Sequence, residues 1–137
     1  MKIYVLGNPL VKEDSNSLMI LSDLKKALPK IYFEIADPNE NFPPKDERNI
    51  MILDTVFGLK KPTIFDLDDF KQEIRNPISP HDYDLLIHLL LLKKLKKINK
   101  VIIIGIPDVI RDKLKLVNWI IEQINYLLKK KYFYHDF

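Results

Sequence analysis

Val101-Ile102-Ile103-Ile104, followed by Gly105-Ile106-Pro107, reads as the most hydrophobic strand of the chain. Four β-branched residues in succession favour extended backbone, and the glycine and proline that follow punctuate the run. A strand with one wet face would alternate apolar and polar residues. This one does not, so both of its faces must be covered, as in a parallel sheet flanked by helices. Working outward, Ile50-Met51-Ile52-Leu53, ending at Asp54, and Ile3-Tyr4-Val5-Leu6, ending at Gly7, are shorter runs of the same kind. Ile31 to Ala36 reads as another strand, and Pro62 to Leu67 as a short further one. Asp37 to Asn49 carries no apolar period and reads as a surface loop.

Helical patterns lie between these runs. Asp14-Ser15-Asn16-Ser17 supplies N-cap residues, and Leu18, Leu21, Leu24 and Leu28 follow at helical spacing until Pro29 stops the pattern. Ser79-Pro80-His81-Asp82 caps a leucine-rich helix running to about Lys97. That helix is apolar over most of its circumference, so it is expected to be covered on more than one side. From Asp108 onward, Ile110, Leu114, Val117, Ile121, Ile124 and Leu128 form a seam expected to face the sheet, leaving Lys113 and Lys115 exposed. The order β α β β β α β α predicts one α/β domain over residues 1–137. It should have three layers, α/β/α, around a mostly parallel, roughly five-stranded twisted sheet.

Composition narrows the chemistry. The chain has 137 residues, 22 basic against 19 acidic, and a formal net charge of +3. That balance is too mild to point to nucleic acid as a partner. Cysteine is absent, which excludes disulfide scaffolds, cysteine-built zinc or iron–sulfur sites and thiol nucleophiles. No apolar run reaches the roughly 18–20 residues of a membrane span, and the opening residues do not read as a signal peptide. A cytoplasmic location is expected. Gly-x-Gly-x-x-Gly, P-loop, Gly-x-Ser-x-Gly and His-Glu-x-x-His motifs are all missing, and no tightly bound organic cofactor is expected.

In parallel sheets the functional cleft lies beyond the carboxyl ends of the strands. The polar residues placed there include Asn8, Glu13 and Asp14 after the first strand, Asp54 after the third, and Ser79, His81 and Asp82 before the penultimate helix. Asp14, Asp54 and His81 can meet at one edge, and two carboxylates with one imidazole suit a borderline divalent ion such as nickel, zinc or manganese. Each has a second reading: Asp14 as a helix cap, Asp54 as an Asx-turn residue, His81 as an exposed residue at a helix start. His88 reads as packing or surface, His135 as a tail residue, and Lys93, Lys94, Lys96 and Lys97 as a solvated helix end.

The landmarks resemble those of the hydrogenase maturation endopeptidases. They are Gly7-Asn8-Pro9-Leu10-Val11-Lys12-Glu13-Asp14-Ser15, the strand Ile50 to Asp54 with Gly58 and Pro62 after it, Ser79-Pro80-His81 before a leucine-rich helix, and Gly105-Ile106-Pro107. Val5, Ser15 and Thr63 stand where glycines are usual, so the resemblance is to a divergent or trimmed member. It implies a three-layer α/β/α peptidase that removes the C-terminal extension of a nickel–iron hydrogenase large-subunit precursor. Asp14, Asp54 and His81 would be its catalytic metal ligands, recognising nickel carried by the substrate, with Glu13 a candidate general base. The alternative is a non-catalytic α/β binding or assembly module that retains the fold.

Overall fold

A computed structural model describes residues 2–6, 16–37, 42–56, 58–67 and 80–129, and of residues 80–84 the backbone alone. The chain order is β1 (Lys2–Leu6), α1 (Asn16–Met19), α2 (Leu21–Ala27), β2 (Tyr32–Ala36), β3 (Asn49–Val56), β4 (Thr63–Asp66), α3 (Pro80–Lys94), β5 (Lys100–Pro107) and α4 (Lys113–Lys129). The five strands form one sheet in the order β2-β1-β3-β5-β4. All neighbours are parallel except β4, which runs antiparallel along β5, with Ile64 opposite Ile104. The expected α/β architecture and its mostly parallel, five-stranded sheet are what the chain adopts.

Period-two alternation sorts the sheet residues between the two helical layers. Val5, Met51, Leu53, Ile102 and Ile104 point to the side of α2 and α4, where they pack with Leu24, Val117, Ile120 and Ile124. Tyr4, Leu6, Ile50, Ile52, Val101 and Ile103 point to the side of α3, where they meet Leu85, Leu86 and Leu89. Most of these side chains are fully buried, each contributing about 1.5–3 kcal/mol relative to exposure. The central strands β3 and β5 pair over eight residues each, from Asn49 opposite Lys100 to Val56 opposite Pro107.

Several boundaries differ from expectation. The third strand does not end at Asp54 but continues through Thr55 to Val56, because β5 offers a pairing partner for all eight residues. The first helical stretch is two short helices rather than one. The last helix begins at Lys113, where the Asp112 carboxylate caps it by accepting from the Lys115 N–H at 3.1 Å. Its buried stripe is Leu116, Val117, Ile120, Ile124 and Leu127, with Ile110, Ile121 and Leu128 partly buried against the same core. Leu114, placed in the expected seam, is instead 71% exposed, while Lys113 and Lys115 are exposed as expected. The leucine-rich α3 is covered on one side only: Leu85, Leu86 and Leu89 are buried, but Ile87 and Leu91 are exposed. No further element of the described residues packs on that outer face.

Helix α3 ends in a Schellman closure. The Lys97 N–H donates to the Leu92 carbonyl at 2.9 Å and the Lys96 N–H to the Lys93 carbonyl at 3.0 Å, with Lys96 in the left-handed region at φ 61°. At the amino edge of the sheet, Lys2 Nζ lies 3.3 Å from Glu34 and 3.4 Å from Glu47. The buried Tyr4 hydroxyl donates to the other Glu47 oxygen, and its ring meets Phe42 edge-on at 5.1 Å.

Candidate functional site

The strand order places a topological switch point between β1 and β3. The connection leaving β1 forms α1 and α2 on one face of the sheet, whereas α3 covers the other face before β5. Between two strands whose connections diverge in this way, a crevice opens outside their carboxyl ends. Chemistry at that edge therefore falls to the side chains that β1 and β3 bring to it.

Asp54 is two residues from the end of β3 and 7% exposed. It follows Ile50 and Ile52 in the alternation, so it belongs to the face covered by α3. One of its carboxylate oxygens accepts the Thr55 N–H at 2.9 Å, the kind of local bond that an Asx turn makes. A carboxylate at a buried strand position is costly unless it is hydrogen-bonded, and this local bond meets part of that requirement. Thr55, next in the strand, turns to the opposite face.

His81 lies in the first turn of α3, with its ring outside the described side chains. Leu92, near the far end of that helix, and Ile98, just beyond it, line a groove together with Arg48, which immediately precedes β3. The C-terminus of α3 is thus at the amino edge of the sheet. Fifteen helical residues span about 22 Å, comparable with the roughly 26 Å of an eight-residue strand. The first turn of α3, which carries His81, is therefore at the carboxyl edge, on the face to which Asp54 turns. Asp14, together with Asn8, Glu13, Ser79 and His135, lies outside the described residues. Among the described residues no group of three His, Asp or Glu side chains is arranged to hold a metal ion.

The first turn of α1 clamps the same edge from the other face. Asn16 Nδ2 donates to the carbonyls of Pro107 at 3.0 Å and Asp108 at 2.7 Å. The Ser17 N–H donates to Thr55 Oγ1 at 3.3 Å, and the Ser17 hydroxyl donates to the Leu6 carbonyl. Two consecutive buried polar residues thus tie together the carboxyl ends of β1, β3 and β5. Sequence reasoning took Asn16 and Ser17 for ordinary helix caps and passed over Thr55. The available signal was a threonine in an otherwise apolar strand run.

His88 is exposed on α3 and lines the amino-edge groove, which has a volume of about 1260 Å³ and lies at the opposite end of the sheet from Asp54. A second cleft, of about 780 Å³, is at the carboxyl edge, between the segment after β3 and the start of α4.

These features define a three-layer α/β/α protein with its candidate site at the β1/β3 switch point, and solved structures share the architecture. The chain is similar in structure to the [NiFe] hydrogenase maturation protease HybD from Thermococcus kodakarensis, with a TM-score of 0.64, 22% identity, and coverage of 93% of this chain and 99% of that one. It is also similar to an endopeptidase from Escherichia coli (TM-score 0.57, 19% identity, 96% and 94% covered) and to an uncharacterized protein from Wolinella succinogenes (TM-score 0.60, 15% identity, 94% and 96% covered). No family model and no curated protein matches the sequence. At these identities the likeness is one of fold, and the fold is the one that the sequence landmarks imply.

Proposed function

We propose that the chain is an endopeptidase of the hydrogenase maturation type. In this reading it removes the C-terminal extension of a nickel–iron hydrogenase large-subunit precursor in the cytoplasm, after nickel has been inserted. The observation that carries the reading is Asp54: a carboxylate held at a buried strand position beside the switch point, on the face covered by α3, whose first turn carries His81. A fold shared with two peptidases supports it. Among the described residues no helix is long and apolar enough to cross a membrane.

Asp54, His81 and Asp14 would then serve as ligands to the nickel that the substrate brings. Carboxylate and imidazole donors fit such an ion, and a divalent cation beside a peptide bond polarises its carbonyl. A peptidase whose own ligand set is completed only by a loaded substrate would leave the empty precursor uncut.

The test is processing of the precursor with and without nickel. The wild type should shorten the loaded precursor and leave the empty one intact. Asp54→Asn is the informative variant. It retains an oxygen to accept the Thr55 N–H and removes the charge, so processing should stop while the melting temperature stays within the shift of about 1 kcal/mol. His88→Ala, at the far edge, should process normally. A wild type inert on loaded precursor, or an Asp54→Asn variant that processes at the normal rate, would overturn the reading.

A further inference from the structure

The cleft at the carboxyl edge has a chemistry of its own. It lies between Gly58–Pro62, the residues after β3, and Pro107–Lys115, the residues that lead from β5 into α4. Pro107 pairs with Val56, two residues beyond Asp54, so the cleft opens at the same end of the sheet as the candidate site. Its floor is apolar, with Leu59, Ile110 and Trp119, and Val109 beside them is 64% exposed. Its rim carries Lys60, Lys61, Arg111 and Lys115, all exposed and none in an ion pair among the described residues.

The two carboxylates among the described residues of the cleft are turned to backbone amides. Asp108 accepts the Gly58 N–H at 3.2 Å, and Asp112 caps α4. The first of these bonds holds the segment after β3 in place, and Gly58 allows it because φ there is +78°, a conformation that side chains rarely adopt. Four cations without an ion pair among the described residues thus surround an apolar floor in a cleft of about 780 Å³, within the range of ligand-binding clefts.

We infer that this cleft binds an extended peptide segment that combines carboxylates with large apolar side chains. Charge complementarity selects the acidic groups, and the floor selects the apolar ones. A nucleic acid fits less well, because stacking needs an exposed aromatic face and Trp119, the one aromatic side chain among the described residues of the cleft, is partly buried against the core. That the segment flanks the bond to be cut rests on the peptidase reading; the binding itself does not.

Trp119 is the only tryptophan of the chain and lines the cleft, so its fluorescence reports occupancy directly. The probes are a blocked short peptide alternating leucine and glutamate, the same peptide with lysine for glutamate, inorganic phosphate and a single-stranded oligonucleotide. The acidic peptide should give a saturable change that weakens as salt is raised, and the lysine peptide none. The double variant Lys60→Glu, Arg111→Glu should weaken the acidic peptide by about tenfold or more, whereas Lys97→Glu, at the opposite edge, should leave it unchanged. Absence of a saturable change, an equal response to the lysine peptide, or tighter binding of phosphate or oligonucleotide would overturn the inference. Binding without processing of a loaded precursor would remove the peptidase reading and leave the cleft assignment standing, and processing without binding would do the reverse.

Discussion

Asn16 offers the sharpest test of how the carboxyl edge is held. Its amide nitrogen donates to two carbonyls at 3.0 and 2.7 Å, and the residue is 8% exposed. Each buried hydrogen bond contributes about 0.5–1.5 kcal/mol net, so Asn16→Ala should cost about 2 kcal/mol. For a domain of this size that corresponds to a melting shift of roughly 6–10 °C. Asn16→Asp is nearly the same shape but replaces the donor with a carboxylate facing two carbonyl oxygens. It should cost a further 1–2 kcal/mol or so near pH 7. The pH dependence follows from the sign of the interaction. Burial against carbonyls raises the introduced carboxyl above its unfolded value, so the folded state keeps its proton to higher pH than the unfolded state does. Stability of this variant therefore falls as pH rises through that window and recovers as pH falls toward the ordinary carboxylate range, where the protonated group can donate again. Urea denaturation of both variants, followed by circular dichroism near pH 7 and in mild acid, measures the difference. If Asn16→Asp is as stable as Asn16→Ala near neutrality, or the gap fails to narrow in acid, the two-carbonyl clamp is not what holds this edge.

Three other outcomes are expected. Gly105→Ala would place a Cβ 2.9 Å from Phe65 Cε2 and 3.2 Å from both Leu59 Cδ2 and Val56 Cγ2, so it should destabilise by about 1–3 kcal/mol in denaturant titration, and Leu59→Ala should relieve part of that cost. Lys96→Gly should stabilise by about 0.5–1 kcal/mol in thermal melts, because the left-handed backbone at φ 61° costs lysine more than the added unfolded-state entropy costs glycine. At alkaline pH, two groups hold their protons beyond their ordinary ranges: the Lys2 ammonium, chiefly through Glu34, and the Tyr4 phenol, chiefly through burial and then its bond to Glu47. The unfolded chain then loses protons first, so stability should be intact below about pH 10 and fall above it, less steeply in Tyr4→Phe; an unchanged slope in that variant would remove Tyr4 from the account.

The parallel sheet was legible because its strands are long apolar runs without alternation. That pattern reports burial on both faces, and burial is a property that sequence records directly. The seam of the last helix was less legible. Two stripes, one through Leu114 and Ile121 and one through Leu116 and Ile120, both have helical spacing, and only the docking of α4 on the sheet selects between them. The outer face of α3 was misread for a related reason: apolar residues all around a helix imply cover, but sequence does not say whether this chain supplies it. Ile87 and Leu91 show that the described residues do not.

For the site, sequence alone determined the kinds of residue available: two carboxylates and an imidazole near strand ends and a helix start, and no thiol. Only the tertiary structure decided which face each strand residue takes and which strands are neighbours. Pairing of β3 with β5 over eight residues carried the strand past Asp54 and turned its side chain toward α3, and the order of strands set the switch point beside it. Asn16 and Ser17 were visible as cap residues, yet their partners, the carbonyls of Leu6, Pro107 and Asp108 and the Thr55 hydroxyl, are 11 to 92 positions away. Local propensity acts over one helical turn, whereas these bonds exist only once the sheet has brought distant backbone together. Composition and periodicity therefore determined the layers, and strand pairing, which is non-local, decided the edge where the chemistry is placed.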